Sequence, residues 1–273
     1  MAAADEPTPK KPHAAAAQRN NGSTLRFLLI PLSVVVVLVA LGLLLGWLIA
    51  PPPDPQQLVR DLSQDERGSW RKALVLANLL RDPDYAEIRR DATVAAQLAS
   101  VLDAEIDRAQ MAEDRIQLRI FLCRALGEFE TAERCQELVC AGSTDRDPAE
   151  IDVRRAAVEA ITVLVSRVGT GDLREHTSLL DMARRAATSY PDRTDEAGRR
   201  ARLRGSTAFL LGVVGGDQAE EQLVQLLDDP APDVRFNAAT GLARNGRAEA
   251  IGVLQEMLDP DSLETLQGEP DAA

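Results

Sequence analysis

The side chains best suited to nucleophilic, acid–base or metal chemistry near neutral pH are histidine and cysteine, and this 273-residue sequence holds two and three of them. His13 lies in a small, polar stretch at the start of the chain. His176 stands in Arg-Glu-His-Thr-Ser-Leu-Leu with no second histidine or cysteine near it, so it reads as a solvated helix residue rather than a base or ligand. Cys135 and Cys140, five positions apart, point away from each other on a helix, with Cys123 on the helix before. Three such thiols read as small core hydrophobes, too few for a disulfide scaffold. There is no Gly-x-Ser-x-Gly, no Gly-Lys-Ser/Thr loop and no His-Glu-x-x-His. Gly169-x-Gly171 starts a phosphate-loop pattern, but Arg174 stands where the third glycine would be, which leaves an inter-helix turn. Asp82/Asp84 and Asp228-Asp229 flank prolines and lack the ordered oxygens and bend glycine of a Ca²⁺ loop, so they read as turns and helix caps. The expectation is a chain without catalytic residues, cofactor or metal.

The elements that must carry these residues are written in the composition. Forty-one alanines and 37 leucines against 3% aromatics favour helices over a sandwich or barrel. A net charge of −12 speaks against nucleic acid as partner. Nearly all positive charge is arginine, the only lysines being Lys10, Lys11 and Lys72.

Apolar residues are unevenly spread. Residues 1–26 are polar and alanine-rich and read as a disordered tail. No charge occurs between Arg26 and Asp54, and residues 27–50 form one apolar run. At ~1.5 Å per residue a helix of that length covers a ~30 Å hydrocarbon layer with some tilt. Residues 51–54, with Pro51-Pro52-Pro53, form a stiff spacer. A cleaved signal would have a shorter apolar core with small residues at the cut. Four cations precede the run (Lys10, Lys11, Arg19, Arg26), whereas only Arg60 and Arg67 follow closely. This predicts a cytoplasmic N-terminus and a C-terminal domain outside the cytoplasm. Gly42 and Gly46 make a Gly-x-x-x-Gly that lets two such helices approach, hence an expected weak homodimer.

Beyond the spacer, a pattern of paired helices repeats. Leu223, Leu226 and Leu227 line one helix face, Asp228-Asp229-Pro230-Ala231-Pro232 breaks it, and Asp233 is placed to cap the next. Val234, Ala238, Ala239 and Leu242 give the second helix an apolar face, ended by Asn245-Gly246. Aligning on Arg235 finds further second helices around Arg71, Arg119, Arg154 and Arg204, with extra helical length expected at 86–110 and 173–189. Neither helix of such a pair buries its face alone, so pairs must stack. The prediction is all-α: a transmembrane helix, then an α-solenoid of antiparallel helix pairs over 55–262 and a flexible tail at 263–273.

Leu226-Leu227-Asp228-Asp229-Pro230, Asp233-Val234-Arg235, Ala238-Ala239 and Gly241-Leu242 resemble the HEAT repeat family, in particular its phycobilisome-lyase-like subclass, and Asp152-Val153-Arg154 with Ala156-Ala157 resembles a second copy. The resemblance implies a protein-binding scaffold, usually not an enzyme. It also implies that Arg154 and Arg235, with Asp152 and Asp233, form a polar ladder between repeats. The alternative it carries is a chromophore-lyase-type protein or an accessory subunit of a modifying enzyme. Second helices of such stacks line the binding side, so Gln117, Arg124, Arg155, Glu159, Asn237 and Arg244 are the expected protein-binding residues.

Overall fold

The computed structural model describes residues 32–43, 53–64, 68–131, 135–190 and 196–259. The tails expected at 1–26 and 263–273 lie outside them. Two units emerge, Met1–Pro52 and Pro53–Ala273. In the first, residues 32–43 form a helix, α1, with all twelve side chains exposed. The rest of the apolar run, Gly46 included, lies outside the described residues, and among those described no helix is long and apolar enough to cross a membrane.

In the second unit every regular element among the described residues is helical. The order is α2 (Pro55–Leu62), α3 (Ser69–Arg81), α4 (Ala86–Arg89), α5 (Ala92–Arg108), α6 (Glu113–Gly127), α7 (Cys135–Gly142), α8 (Ile151–Val168), α9 (Thr177–Ala187), α10 (Ala197–Val214), α11 (Asp217–Leu226), α12 (Pro232–Arg244) and α13 (Ile251–Leu258). Helices α2/α3, α5/α6, α7/α8, α9/α10 and α11/α12 pack as pairs. Successive first helices, α2–α5–α7–α9–α11, form one layer and successive second helices, α3–α6–α8–α10–α12, the other. Helix α13 packs on α12 at the far end. All five second helices expected from the arginine register are present, and the helical length expected at 86–110 and 173–189 includes α5 and α9, the first helices of ordinary pairs.

Local chemistry sets the boundaries. Asp54, expected in the spacer, caps α2 by accepting from Gln56 N at 3.0 Å, with Pro55 at the first helical position where its missing N–H costs nothing. Asp91 caps α5 through Thr93 N and Val94 N. Asp233 does not cap α12; it lies inside the helix after Pro232, and Asp229 accepts from Ala231 N instead. Second helices α10 and α12 end at Gly215 and Gly246, whose φ of 67° and 76° reverses the chain into the next first helix.

Leucine and alanine fill the space between the layers, with Leu98, Leu102, Leu122, Leu126, Leu164 and Leu223 fully buried. The second helices come closest where side chains are smallest. A Cβ built on Gly127 would lie 2.7 Å from Ala160 Cα, and one on Gly212 would lie 2.6 Å from Gly241 Cα. Backbones in such contact hold α6 to α8 and α10 to α12 at one fixed spacing, which makes the second-helix layer a rigid surface.

Candidate interaction face

The buried ends of the second helices carry an arginine ladder. Arg119 donates from Nη1 to Glu150 at 3.0 Å and from Nη2 to the Gln110 carbonyl at 2.9 Å. Arg119 and Glu150 are both fully buried. Burial would raise the Glu150 carboxyl, but hydrogen bonds from Arg146 and Arg119 hold it below the usual carboxylate range. Arg204 grips Asp229 with Nε at 2.7 Å and Nη2 at 3.0 Å and gives Nη1 to the Ser189 carbonyl. Arg235 bonds the Asp229 carbonyl and pairs with Glu256 on α13. The recurring arrangement is a second-helix guanidinium that takes a carbonyl from its own pair's turn and a carboxylate from the next repeat. Arg154 departs from it: it is buried, lies 2.9 Å from the exposed Asp145 of its own pair, and leaves Nε and Nη1 without hydrogen bonds. Burial draws its guanidinium below the usual arginine range.

Of the acidic residues expected in the ladder, Asp152 bridges repeats by meeting Arg199 of α10 at 2.9 Å, whereas Asp233 is exposed, and the buried carboxylates are Glu150 and Asp229. Arg71 is not a ladder residue either. It is exposed, with its guanidinium 4.8 Å from the Trp70 ring centroid.

The outward side of the same layer holds the six expected binding residues, all half-buried except the exposed Arg244. Three are engaged within the fold. Arg155 pairs with Glu159 at 3.1 Å, Glu159 accepts from Ser206 of α10 at 3.3 Å, and Asn237 donates to the Gly205 carbonyl at 3.2 Å. Arg124 and Arg244 make no ion pair among the described residues. Each lies over a ring instead, Arg124 at 5.5 Å from Phe121 and Arg244 at 5.7 Å from Phe209. The stacked rings of Trp70 and Phe121, 6.3 Å apart, join α3 to α6 on this side. Sequence reasoning passed over Trp70, Phe121 and Phe209 because a lone aromatic in an aliphatic helix reads as core; the legible signal was an arginine adjacent to Trp70 and another three residues after Phe121.

Charge is sorted between the layers. Second helices carry fifteen cations and five anions, a net +10 inside a chain of net −12. Nine of these cations meet carboxylates that lie outside the second helices, so the excess belongs to the sequence of the layer and is not a bare positive surface.

His176 caps α9, its Nδ1 accepting from Leu179 N at 3.3 Å. Cys123 and Cys135 are buried and Cys140 is exposed, so the third thiol is not a core residue. Among the described residues no cluster of three or more His, Cys, Asp or Glu is arranged to hold a metal. No curated protein matches the chain. Residues 196–268, from the start of α10 past α13, match the family model for HEAT repeats.

Proposed function

We propose that the chain is a non-catalytic scaffold of the phycobilisome-lyase-like HEAT type, held at a membrane by residues 27–50, which recruits protein partners to its second-helix face. The observation carrying this reading is the unbroken layer of five second helices, closed-packed at Gly127/Ala160 and Gly212/Gly241, with guanidinium and aromatic groups left on its outward side. Repeat stacks present such extended surfaces to partners. The anchor rests on the charge-free run between Arg26 and Asp54, part of which is the helix at 32–43. The excess of cations before the run supports a C-terminal domain outside the cytoplasm, and Gly42 with Gly46 supports a weak homodimer through the anchor.

Photo-crosslinking in cells tests the scaffold reading. A photoreactive residue at Gln117 or Thr240, on the second-helix face, should capture partners that the same residue at Gln97 or Gln225, exposed on first helices, does not. Equal capture from both layers refutes the reading. Protease added outside intact cells should cleave the repeat domain, and full protection would reverse the orientation. Gly46→Ile should abolish self-association in a membrane reporter, and an unchanged signal would remove the homodimer.

A further inference from the structure

An arginine left without a carboxylate in an acid-rich protein is itself informative. The domain beyond residue 53 carries 41 acidic side chains against 27 basic ones, so partners are abundant. Even so, six described arginines make no ion pair among the described residues: Arg174 and Arg185 donate instead to the Val214 carbonyl and Ser143 Oγ, whereas Arg71, Arg124, Arg202 and Arg244, all on second helices, make no side-chain hydrogen bond there either. Three of these four are held over rings: Arg71 over Trp70, Arg124 over Phe121 and Arg244 over Phe209. A ring under a guanidinium fixes its plane at little entropic cost and leaves the N–H edges free for a carboxylate in two-pronged geometry. Phe209 is 42% exposed, and such a ring is open to contact from solvent.

The anchors fall into two groups, Trp70–Arg71–Phe121–Arg124 across α3 and α6, and Phe209–Arg244 across α10 and α12. Between them the outward residues of α8 include the internally paired Arg155 and Glu159 and the exposed Val163. We propose that this face binds an acidic peptide segment of a partner protein, with carboxylates on the ring-backed arginines and apolar side chains against the rings. The inference rests on the scaffold reading and adds the chemistry of the partner.

Charge complementarity selects this occupant. Arg71, Arg124, Arg202 and Arg244 keep their charge without an ion pair among the described residues while the domain as a whole is acidic, so an anionic partner is attracted at these guanidiniums and repelled over most of the remaining surface. A nucleic acid is a poorer fit. Its phosphates recur at fixed spacing, whereas Asp114, Asp152, Glu159 and Asp233 interrupt the face. A peptide can put carboxylates only where the guanidiniums are.

The test uses the full chain in detergent micelles. The probe is a fluorescein-labelled peptide of glutamate interspersed with leucine and serine, followed by anisotropy. Two comparison probes are its lysine counterpart and a single-stranded oligonucleotide of similar length. The variant Arg71→Gln/Arg124→Gln/Arg244→Gln should weaken the acidic peptide by about tenfold, the product of three solvent-accessible charge contacts. A charge-matched control, Arg60→Gln/Arg184→Gln/Arg247→Gln, placed on first helices and a turn, should change it by less than about twofold. Five of the six side chains are exposed and Arg124 is half-buried, and unchanged helical circular dichroism verifies folding. Absent peptide binding, equal weakening by the two triple variants, or an oligonucleotide that binds more tightly and responds to the same three arginines would each overturn the inference. If Gln117 and Thr240 still crosslink to a partner while the peptide fails to bind, the face is a scaffold for other chemistry and only the acidic-peptide inference falls.

Discussion

Replacing Asp229 by Asn leaves shape almost unaltered and removes one charge from the most enclosed rung of the ladder. Asp229 and the Arg204 side chain are no more than 3% exposed, and two hydrogen bonds at 2.7 and 3.0 Å join them. Removing one member of such a pair costs about 3–5 kcal/mol, because the other charge stays buried without its counter-ion. Arg204 keeps the Ser189 carbonyl at 3.0 Å and the Tyr190 ring at 4.4 Å, and the Asn oxygen can still accept from Ala231 N. These residual partners place the expected loss near the lower bound, about 3 kcal/mol. In a stack where each repeat touches only its neighbours, the loss is local. Hydrogen exchange on the full chain should then show α11 and α12 exchanging roughly a hundredfold faster, the equivalent of that free energy, with α5 and α6 unchanged. The double variant Arg204→Met/Asp229→Leu should recover much of the protection, since an apolar pair needs no counter-ion. Unchanged exchange at α11 and α12, or an equal loss throughout the domain, would refute both the rung and the locality argument.

Gly212→Ala should destabilise the domain by about 1–3 kcal/mol in urea unfolding, because its Cβ would meet the Gly241 backbone at 2.6 Å. Gly252→Ala, with nothing within 4 Å of the added Cβ, should instead stabilise by about 0.5–1 kcal/mol, and the same sign for both would dismiss the close-approach explanation. Iodoacetamide near neutral pH should alkylate Cys140 in the folded chain. Cys123 and Cys135, whose thiols burial pushes up to about 12 and about 11, should react only in denaturant, and peptide mass mapping distinguishes the three. The Glu150 carboxyl is held low in the folded state, so its stabilisation is complete above the unfolded value of about 4.3 and is lost as pH falls through the folded value. Glu150→Gln should lower stability at neutral pH and flatten the acid-side decline, and parallel acid titrations of the two proteins would count against the pairing.

The paired-helix architecture was legible because four of the five second helices repeat one spacing, an arginine with Leu or Ile seven residues on, at Arg119, Arg154, Arg204 and Arg235. Repetition of a physical requirement is what sequence displays best. First helices were harder: α5 and α9 carry no such marker, and α7 is only eight residues long, so 86–110 and 173–189 showed helical length without its place in a pair. Asp229 was hidden for a related reason. Asp228, Asp229 and Asp233 all precede or open α12, and only the turn geometry shows that Asp229 points inward and Asp233 outward. On the outward face, the Arg155–Glu159 pair follows from the i,i+4 spacing of α8, but the bonds of Glu159 to Ser206 and of Asn237 to the Gly205 carbonyl depend on the stacking distance, which no single helix specifies.

The ladder and the outward face are linked by the helix itself. At about 100° per residue, the position five after a ladder arginine has rotated by about 140° and leaves the inner side of the layer. Those positions are Arg124, Glu159, Phe209 and Thr240, half-buried or exposed in every case, while the ladder residues Arg119, Arg154 and Arg204 are buried. One row repeats its residue type because each repeat must satisfy the same turn. The other changes type at every repeat, from cation to anion to ring to hydroxyl, because no turn shared by every repeat constrains it. Substitutions in the two rows should therefore separate stability from binding. Phe209→Ser and Thr240→Ala should shift the unfolding free energy by no more than about 0.5 kcal/mol, the usual range for surface changes. Arg204→Met should cost several times more, because it leaves the Asp229 carboxylate buried without its counter-ion. Phe209→Ser should also weaken the acidic peptide by loosening Arg244, whereas Arg204→Met should leave the residual folded population with unchanged affinity. A stack built this way can vary its partner chemistry one repeat at a time without touching the row that holds it together.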